Sequence, residues 1–314
     1  MSDWVTAFAP ASIGNVAVGF DMLGLALEEV GDRVLARRTP GGGISIAEVR
    51  GLDGELHPYL STDAKSNTAS IAAQALWEAQ GQSGGLELKV LKGVPLQSGM
   101  GSSAASAVAA VVAANALLDT PLETEQLLEF ALIGEQYASG GLHADNVAPS
   151  LVGGLVLCPQ VLLPEIQRMP VPSGVSAVLL HPDLQINTAQ ARRGLAKGYP
   201  MKDWLAQQGL LAGFVLACAR DDIQLLGRTL RDVIVEPQRK EAVPCFDAVK
   251  QAAERAGVLG CSLSGSGPSM FALCRSSEAR NVASAMEQAC RMQGIGCQSW
   301  ISSLSAPGAR VEEA

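Results

Sequence analysis

The stretch Pro95–Ser106, PLQSGMGSSAAS, runs directly into the alanine-rich AVAAVVAANALL. Gly99 and Gly101 permit left-handed backbone and close approach, and two serines stand where a helix would begin. The alanines behind them carry little bulk, so such a helix must pack tightly between its neighbours. A helix start reached through a glycine turn presents unpaired N–H groups and the positive end of the helix dipole, the arrangement that holds phosphate. No GxxxxGK[ST] string occurs, so the lysine of the familiar nucleotide loop is missing. Taken alone, the stretch is equally a glycine turn capped by serine before a buried helix. Ala104–Leu118 is interrupted by Ser106 and Asn115 and is shorter than the roughly 20 residues a membrane span requires.

The remaining composition narrows the partner. With 314 residues, 48% of them hydrophobic, the chain can bury one large core or two ordinary ones. Only 17% of residues are charged and the net charge is −8, which argues against nucleic acid as a partner and for a small molecule. Cysteines 158, 218, 245, 261, 274, 290 and 297 sit singly without CxxC pairs, as free thiols of a reducing compartment do. The opening MSDWVTAFAP lacks a basic start followed by an apolar run, so a cytoplasmic protein with no membrane association is expected.

Along the chain, WVTAFAPASIGNVAVGFDMLGLAL predicts strand, loop and strand, and DRVLARRTPGGGISIAEVRG two strands joined by TPGGG. NTASIAAQALWEAQG predicts a helix capped by Asn67, and LELKVLKGVPL a strand that delivers the chain into the glycine loop. ETEQLLEFALIGEQYASG predicts a helix capped around Thr124, and GLHADNVAPSLVGGLVLC a loop returning into a strand. The proline-rich LLPEIQRMPVPSG is the expected domain boundary, giving units 1–168 and 169–314. Beyond it VSAVLLHPD, VLGCSLSGSGPSMFALC and CQSWISSLS predict strands. A short helix opens at Thr188, and DWLAQQGLLAGFVLACARDD, CFDAVKQAAERAG and EARNVASAMEQACRMQG predict longer ones. The alternation predicts two α+β sandwiches.

At the glycine loop the sequence resembles the GHMP kinases, the galactokinase, homoserine, mevalonate and phosphomevalonate kinase family. Their pattern P-x-x-x-G-L-G-S-S-A stands here as P-L-Q-S-G-M-G-S-S-A, with Met100 for the usual Leu. APASIGNVAVGFDMLGLAL and GCSLSGSGPSMFALC match the same family in the same order. The blocks HADNVAPSLVGG, INTAQAR and DVIVEPQR look like the branch that phosphorylates homoserine, and the likeness runs nearly end to end. The resemblance implies an N-terminal ATP-binding domain like domain 2 of ribosomal protein S5 and a ferredoxin-like C-terminal domain. It also implies Mg²⁺ as cofactor, L-homoserine and ATP as substrates, and a homodimer in threonine biosynthesis.

Site residues follow from that resemblance, position by position. The phosphate loop is Pro95, Leu96, Gln97, Ser98, Gly99, Met100, Gly101, Ser102, Ser103, Ala104 and Ala105. Asn67 and Lys92 match positions near the nucleotide base, although Lys92 is equally a solvated strand end; Glu135 and Ser103 match the Mg²⁺ ligands. Arg192 and Arg239 match the partners of the substrate carboxylate, Asp21 the partner of its ammonium, and His143 a further substrate contact. Asn146 stands where related kinases carry a catalytic aspartate, and Asp145 beside it is expected to point elsewhere. An amide takes no proton from a hydroxyl, so direct attack is expected, with Asn15 and Asn146 orienting the hydroxyl and no dedicated base. The turn SGSGP (Ser264–Pro268) is expected either to support the phosphate loop or to be a plain glycine hairpin, and His57 and His181 to play no chemical part. A kinase of another small alcohol such as mevalonate, and a silent nucleotide sensor, are the alternatives. Asp21 speaks against the first, and Glu135 with the intact loop against the second.

Overall fold

The computed structural model describes residues 4–313. Strands β1 (Val5–Gly14) and β2 (Leu23–Thr39) pair antiparallel, joined by the loop 15–22. After the TPGGG turn, β3 (Gly43–Arg50) does not lie beside β2. Helix α1 (Thr68–Ala79) returns the chain to β4 (Gly85–Leu91), which inserts between them, antiparallel to β2 and parallel to β3. A parallel pair needs such a crossover, because a tight turn reverses direction.

Helices α1, α2 (Ser102–Asn115), α3 (Leu128–Ser139) and α4 (Ala144–Val152) cover one face of this sheet. In α2 every residue is buried except Ser103 and Val112, which is what the alanines permit: neighbouring helices approach from several sides. The short turn before α3 is capped from Glu123, whose N–H donates to Gln126 Oε1, one residue earlier than the Thr124 cap expected. The stretch expected to be a loop through HADNVAPS is helix α4. Pro149 hides it in the sequence, since proline cannot donate to the carbonyl of Asp145 four residues back. That carbonyl faces Gly24, where a Cβ would stand 1.8 Å away.

Strands β5 (Leu155–Leu157) and β6 (Gln167–Arg168) extend the sheet, and the proline-rich passage then leads into β7 (Val175–Pro182). The second unit continues with α5 (Thr188–Arg193), α6 (Met201–Arg220), α7 (Ile223–Thr229), α8 (Glu236–Arg239) and α9 (Phe246–Arg255). It ends with β8 (Gly260–Leu263), β9 (Met270–Arg275), α10 (Ala279–Met292) and β10 (Cys297–Ser303). The antiparallel order β10-β7-β9-β8 places the unit's fourth, first, third and second strands side by side, the ferredoxin-like arrangement. Helices α9 and α10 cover one face, while the other packs with α6 and α7 against Ile13, Leu25, Leu27 and Met100 of the first unit. The tail returns as β11 (Arg310–Glu312) to pair with β1. Helices α7 and α8 and strand β11 are too short to leave a periodic signal. Among the described residues no helix is long and apolar enough to cross a membrane.

One buried ion pair anchors the chain under the glycine loop. Asp32 lies in β2 with its side chain fully buried, and Lys92, just past β4, is 4% exposed beside it. Lys92 is therefore not a solvated strand end. Its ammonium binds the Asp32 carboxylate and donates to Ser102 O (2.9 Å) and Ser106 Oγ (2.8 Å), while Ser106 donates back to Asp32 (2.5 Å). The other Asp32 oxygen accepts from the N–H of Gly93 and Val94, at 2.9 and 3.0 Å, and Ser102 Oγ donates to Val94 O. Entry and exit of the loop are thus bound to one carboxylate. Lys92→Met leaves that carboxylate buried without a cation, with an expected loss of about 3–5 kcal/mol in urea unfolding. Pairing it with Asp32→Asn is expected to restore part of the loss.

Candidate functional site

A cleft of about 440 Å³ opens where the two units meet, within the usual range for small-molecule sites. Its floor is the glycine loop. Gly99 and Gly101 have φ of 78° and 68°, and a Cβ on either would stand 2.4 Å from Ser264 O or Ser12 Oγ. Gly101 caps α2 without any side-chain bond, so no side chain competes for the first N–H groups of the helix. Ser103 lines the cleft and donates to Glu135 Oε2 at 2.6 Å, bringing the two expected metal ligands together from α2 and α3. Pro95, Met100 and the alanines 104 and 105 are absent from the cleft wall: Met100 and the alanines are fully buried and serve packing.

The second unit clamps this loop from above. Ser264 Oγ donates to Gly99 O (2.6 Å), Ser269 N to Ser98 O (3.0 Å) and Ile186 N to Gln97 O (3.0 Å). The SGSGP turn therefore supports the loop directly. His181 lies within β7 rather than in a turn and contacts Ser269 Oγ at 3.1 Å, a structural place behind the clamp. His57, outside the cleft, accepts at Nδ1 from Tyr59 N and Leu60 N and donates its own backbone N–H to Val49 O, which holds a turn. Asn67 lines the cleft as the cap of α1, accepting from Ala69 N and donating to Ser61 O.

Opposite the loop stands a wall of charge. The 15–22 loop holds Asn15, Val16, Ala17 and Asp21 at φ of 67°, 43°, 58° and 57°. Positive φ is uncommon for side-chain-bearing residues and strained for a β-branched one. The strain is held by partners: Asn15 Oδ1 accepts from Asp21 N, Asn15 Nδ2 donates to Gly265 O, and Gln207 of α6 donates to Val18 O. Asp21 is thereby presented to Arg192, which binds it with both arms of its guanidinium at 2.6 and 2.8 Å. Arg192 and Arg239 both stack on Phe20, at 5.3 and 5.2 Å from the ring centre. The Nε atoms of both arginines are buried without a protein partner among the described residues. His143 Nδ1 sits 3.4 Å from Arg192, and burial with the Arg192 charge holds its imidazole below the ordinary range, against the pull of Asp21.

Asp145 is the main surprise. It does not point elsewhere: it is 3% exposed, lines the cleft and accepts from Asn15 N at 3.2 Å. Burial pushes its carboxyl up to about 7, and the charges of Asp21 and Glu135 add to the shift. Asn146, by contrast, is engaged, accepting from Ser12 Oγ at 3.0 Å beside Gly101. Both residues fall in the first turn of α4, an element read as a loop from the sequence, so their directions could not be assigned. Phe20 and Ser12 were missed as well, and only the GFD and APAS contexts hinted at them.

The structure thus gathers Asn15, Asp21, Asn67, Lys92, Glu135, His143, Asn146, Arg192 and Arg239 around one cleft with the glycine loop. Residues 67–154 match the GHMP kinases N terminal domain and residues 214–291 the GHMP kinases C terminal domain. A homoserine kinase of Xylella fastidiosa (strain M12) is 43% identical over 97% of this chain and 93% of its own length. One from Chlorobaculum tepidum is 40% identical over 98% of both. The crystal structure of homoserine kinase from Cytophaga hutchinsonii superposes with a TM-score of 0.94 at 42% identity, covering 99% of this chain and 98% of that one. The crystal structure of L. major mevalonate kinase in complex with R-mevalonate shares the fold, with a TM-score of 0.67 at 17% identity over 95% of this chain and 96% of that one.

Gly99→Ala should force the loop from the Ser264 and Gly267 carbonyls. Nucleotide affinity in titration calorimetry is expected to fall by about tenfold or more, with the far-UV spectrum unchanged.

Proposed function

The chain belongs to the homoserine kinase family of the GHMP kinases, and on that premise we propose how its cleft transfers the γ-phosphoryl group of ATP to the side-chain hydroxyl of L-homoserine, giving O-phospho-L-homoserine. The observation that carries the substrate is the charged wall. A guanidinium pair with free buried Nε donors suits a carboxylate, and Asp21 suits an ammonium a few ångströms away. Mevalonate has no ammonium and would give Asp21 no cation.

The glycine loop and the start of α2 hold the ATP phosphates through backbone N–H groups and serine hydroxyls. Glu135 and Ser103 form a carboxylate and hydroxyl set, the hard oxygen donors that Mg²⁺ takes, and they would hold the ion. When bound, the ion supplies the charge neutralisation that a loop lysine gives elsewhere. Arg192 and Arg239 fix the amino acid so that its hydroxyl faces the loop, and Asn15 and Asn146 shape the floor between them. Phosphoryl transfer through a loose transition state draws chiefly on such positioning, so the hydroxyl attacks directly.

Asp145 offers a second route for the proton. Its carboxyl is in the cleft and titrates near neutrality, where a general base works best. If it accepts the proton, kcat/KM rises with pH through about 7, and Asp145→Asn removes that acidic limb together with most of the rate. If attack is unassisted, Asp145→Asn keeps most of the rate.

The same residue makes a stability prediction with a definite sign. Its folded value lies above the ordinary 3.8, so its contribution is complete below that pH and is lost as pH rises through about 7. Asp145→Asn should therefore melt higher than the parent at pH 8, by roughly 2–4 °C or more, with the gap closing toward pH 4. The activity itself is tested by ADP release from Mg-ATP with L-homoserine, mevalonate and galactose supplied separately. Turnover is expected with homoserine alone. It should fall about a hundredfold or more in Glu135→Ala and be lost in Arg192→Ala; turnover with none of the three would overturn the assignment.

A further inference from the structure

Asp21 and Arg192 suit opposite ends of one zwitterion, yet here they bind each other through two parallel hydrogen bonds. Both side chains are about one-third exposed, so the pair is reachable from the cleft. We propose that this ion pair is a specificity latch, opened only by a ligand that carries an ammonium and a carboxylate together. The inference rests on the amino-acid kinase reading above and names the residues that set its substrate class.

Charge bookkeeping in the cleft explains the selectivity. A carboxylate that takes the Arg192 fork must displace Asp21, and the ligand's own ammonium then replaces the lost cation, so two ion pairs stand where one stood. A hydroxy acid without an amino group also displaces Asp21 but leaves it without a cation, close to Asp145 and His143. An amino alcohol without a carboxylate takes Asp21 and leaves Arg192 uncompensated beside Arg239, both against the Phe20 ring. Burial and the Arg192 charge already lower the Arg239 guanidinium, so that arrangement repels. Rejection by a group left unpaired is stronger than rejection by a missing contact. Phe20 holds the Arg192 plane whichever partner its fork has, so the exchange moves Asp21 more than the arginine.

The test compares L-homoserine with 4-hydroxybutanoate, the same skeleton without the amino group, in the parent and in Asp21→Asn, by ADP release from Mg-ATP. In Asp21→Asn, kcat/KM for homoserine should fall by about a hundredfold, and for 4-hydroxybutanoate it should rise about tenfold in absolute terms. The gain is the diagnostic result. If Asp21 only contacts the ammonium, 4-hydroxybutanoate turnover stays at the parent level, and the latch is overturned; a fall for both substrates overturns it too. Asp21→Ala carries the same expectation, so a folding failure of one substitution leaves the test intact. A parent protein that does not phosphorylate homoserine at all refutes the functional reading instead, a result separable from failure of the latch.

Discussion

Almost everything in the cleft depends on one carboxylate that never touches it. Asp32 gathers the ammonium of Lys92, the hydroxyl of Ser106 and two backbone N–H groups, and through them ties the end of β4 to the first turns of α2. A glycine loop is by nature soft, because glycine adds conformational freedom to the unfolded chain and no side chain to the folded one. Its shape has to be imposed from outside. Here the imposition is ionic and buried, so it is strong when complete and severely damaging when half of it is removed. The missing loop lysine is thus replaced in structure by Lys92, which works beneath the loop rather than on the phosphates.

The charged wall follows a different rule. Four residues other than glycine sit in the left-handed region between Asn15 and Asp21, and each such residue costs on the order of 1–3 kcal/mol. The surrounding bonds from Gln207 and to Gly265 belong to the second unit, so the strained loop exists only because both units fold against it. The outcome is an acid presented to one of two arginines that share an aromatic ring.

How much of this the sequence disclosed varies with the kind of signal. The loop, its helix and the two α+β units were legible, because glycine placement, alanine runs and strand periodicity are local, while the ferredoxin-like order came only from the family resemblance. The pairing of Lys92 with Asp32 spans sixty residues and left no local trace. Helix α4 was read as a loop since Pro149 and the flanking glycines outweighed a short apolar face, and the directions of Asp145 and Asn146 were lost with it. Asp21 and Arg192 were each read as a substrate contact from the family resemblance. That they contact each other could not be seen, because 171 residues separate them and neither carries any mark of the other.

The clamp on the glycine loop has a consequence for motion. Three hydrogen bonds from the second unit end on the carbonyls of Gln97, Ser98 and Gly99, and an apolar core joins the units behind them. Jaw-like opening of the two units would tear the phosphate floor apart at the moment it had to receive or release a nucleotide. The cleft is instead open at its rim, lined by Leu60, Ser61 and Ser66 on one side and by Thr188 and Ala189 of α5 on another. The floor behaves as an anvil, held to both units at once.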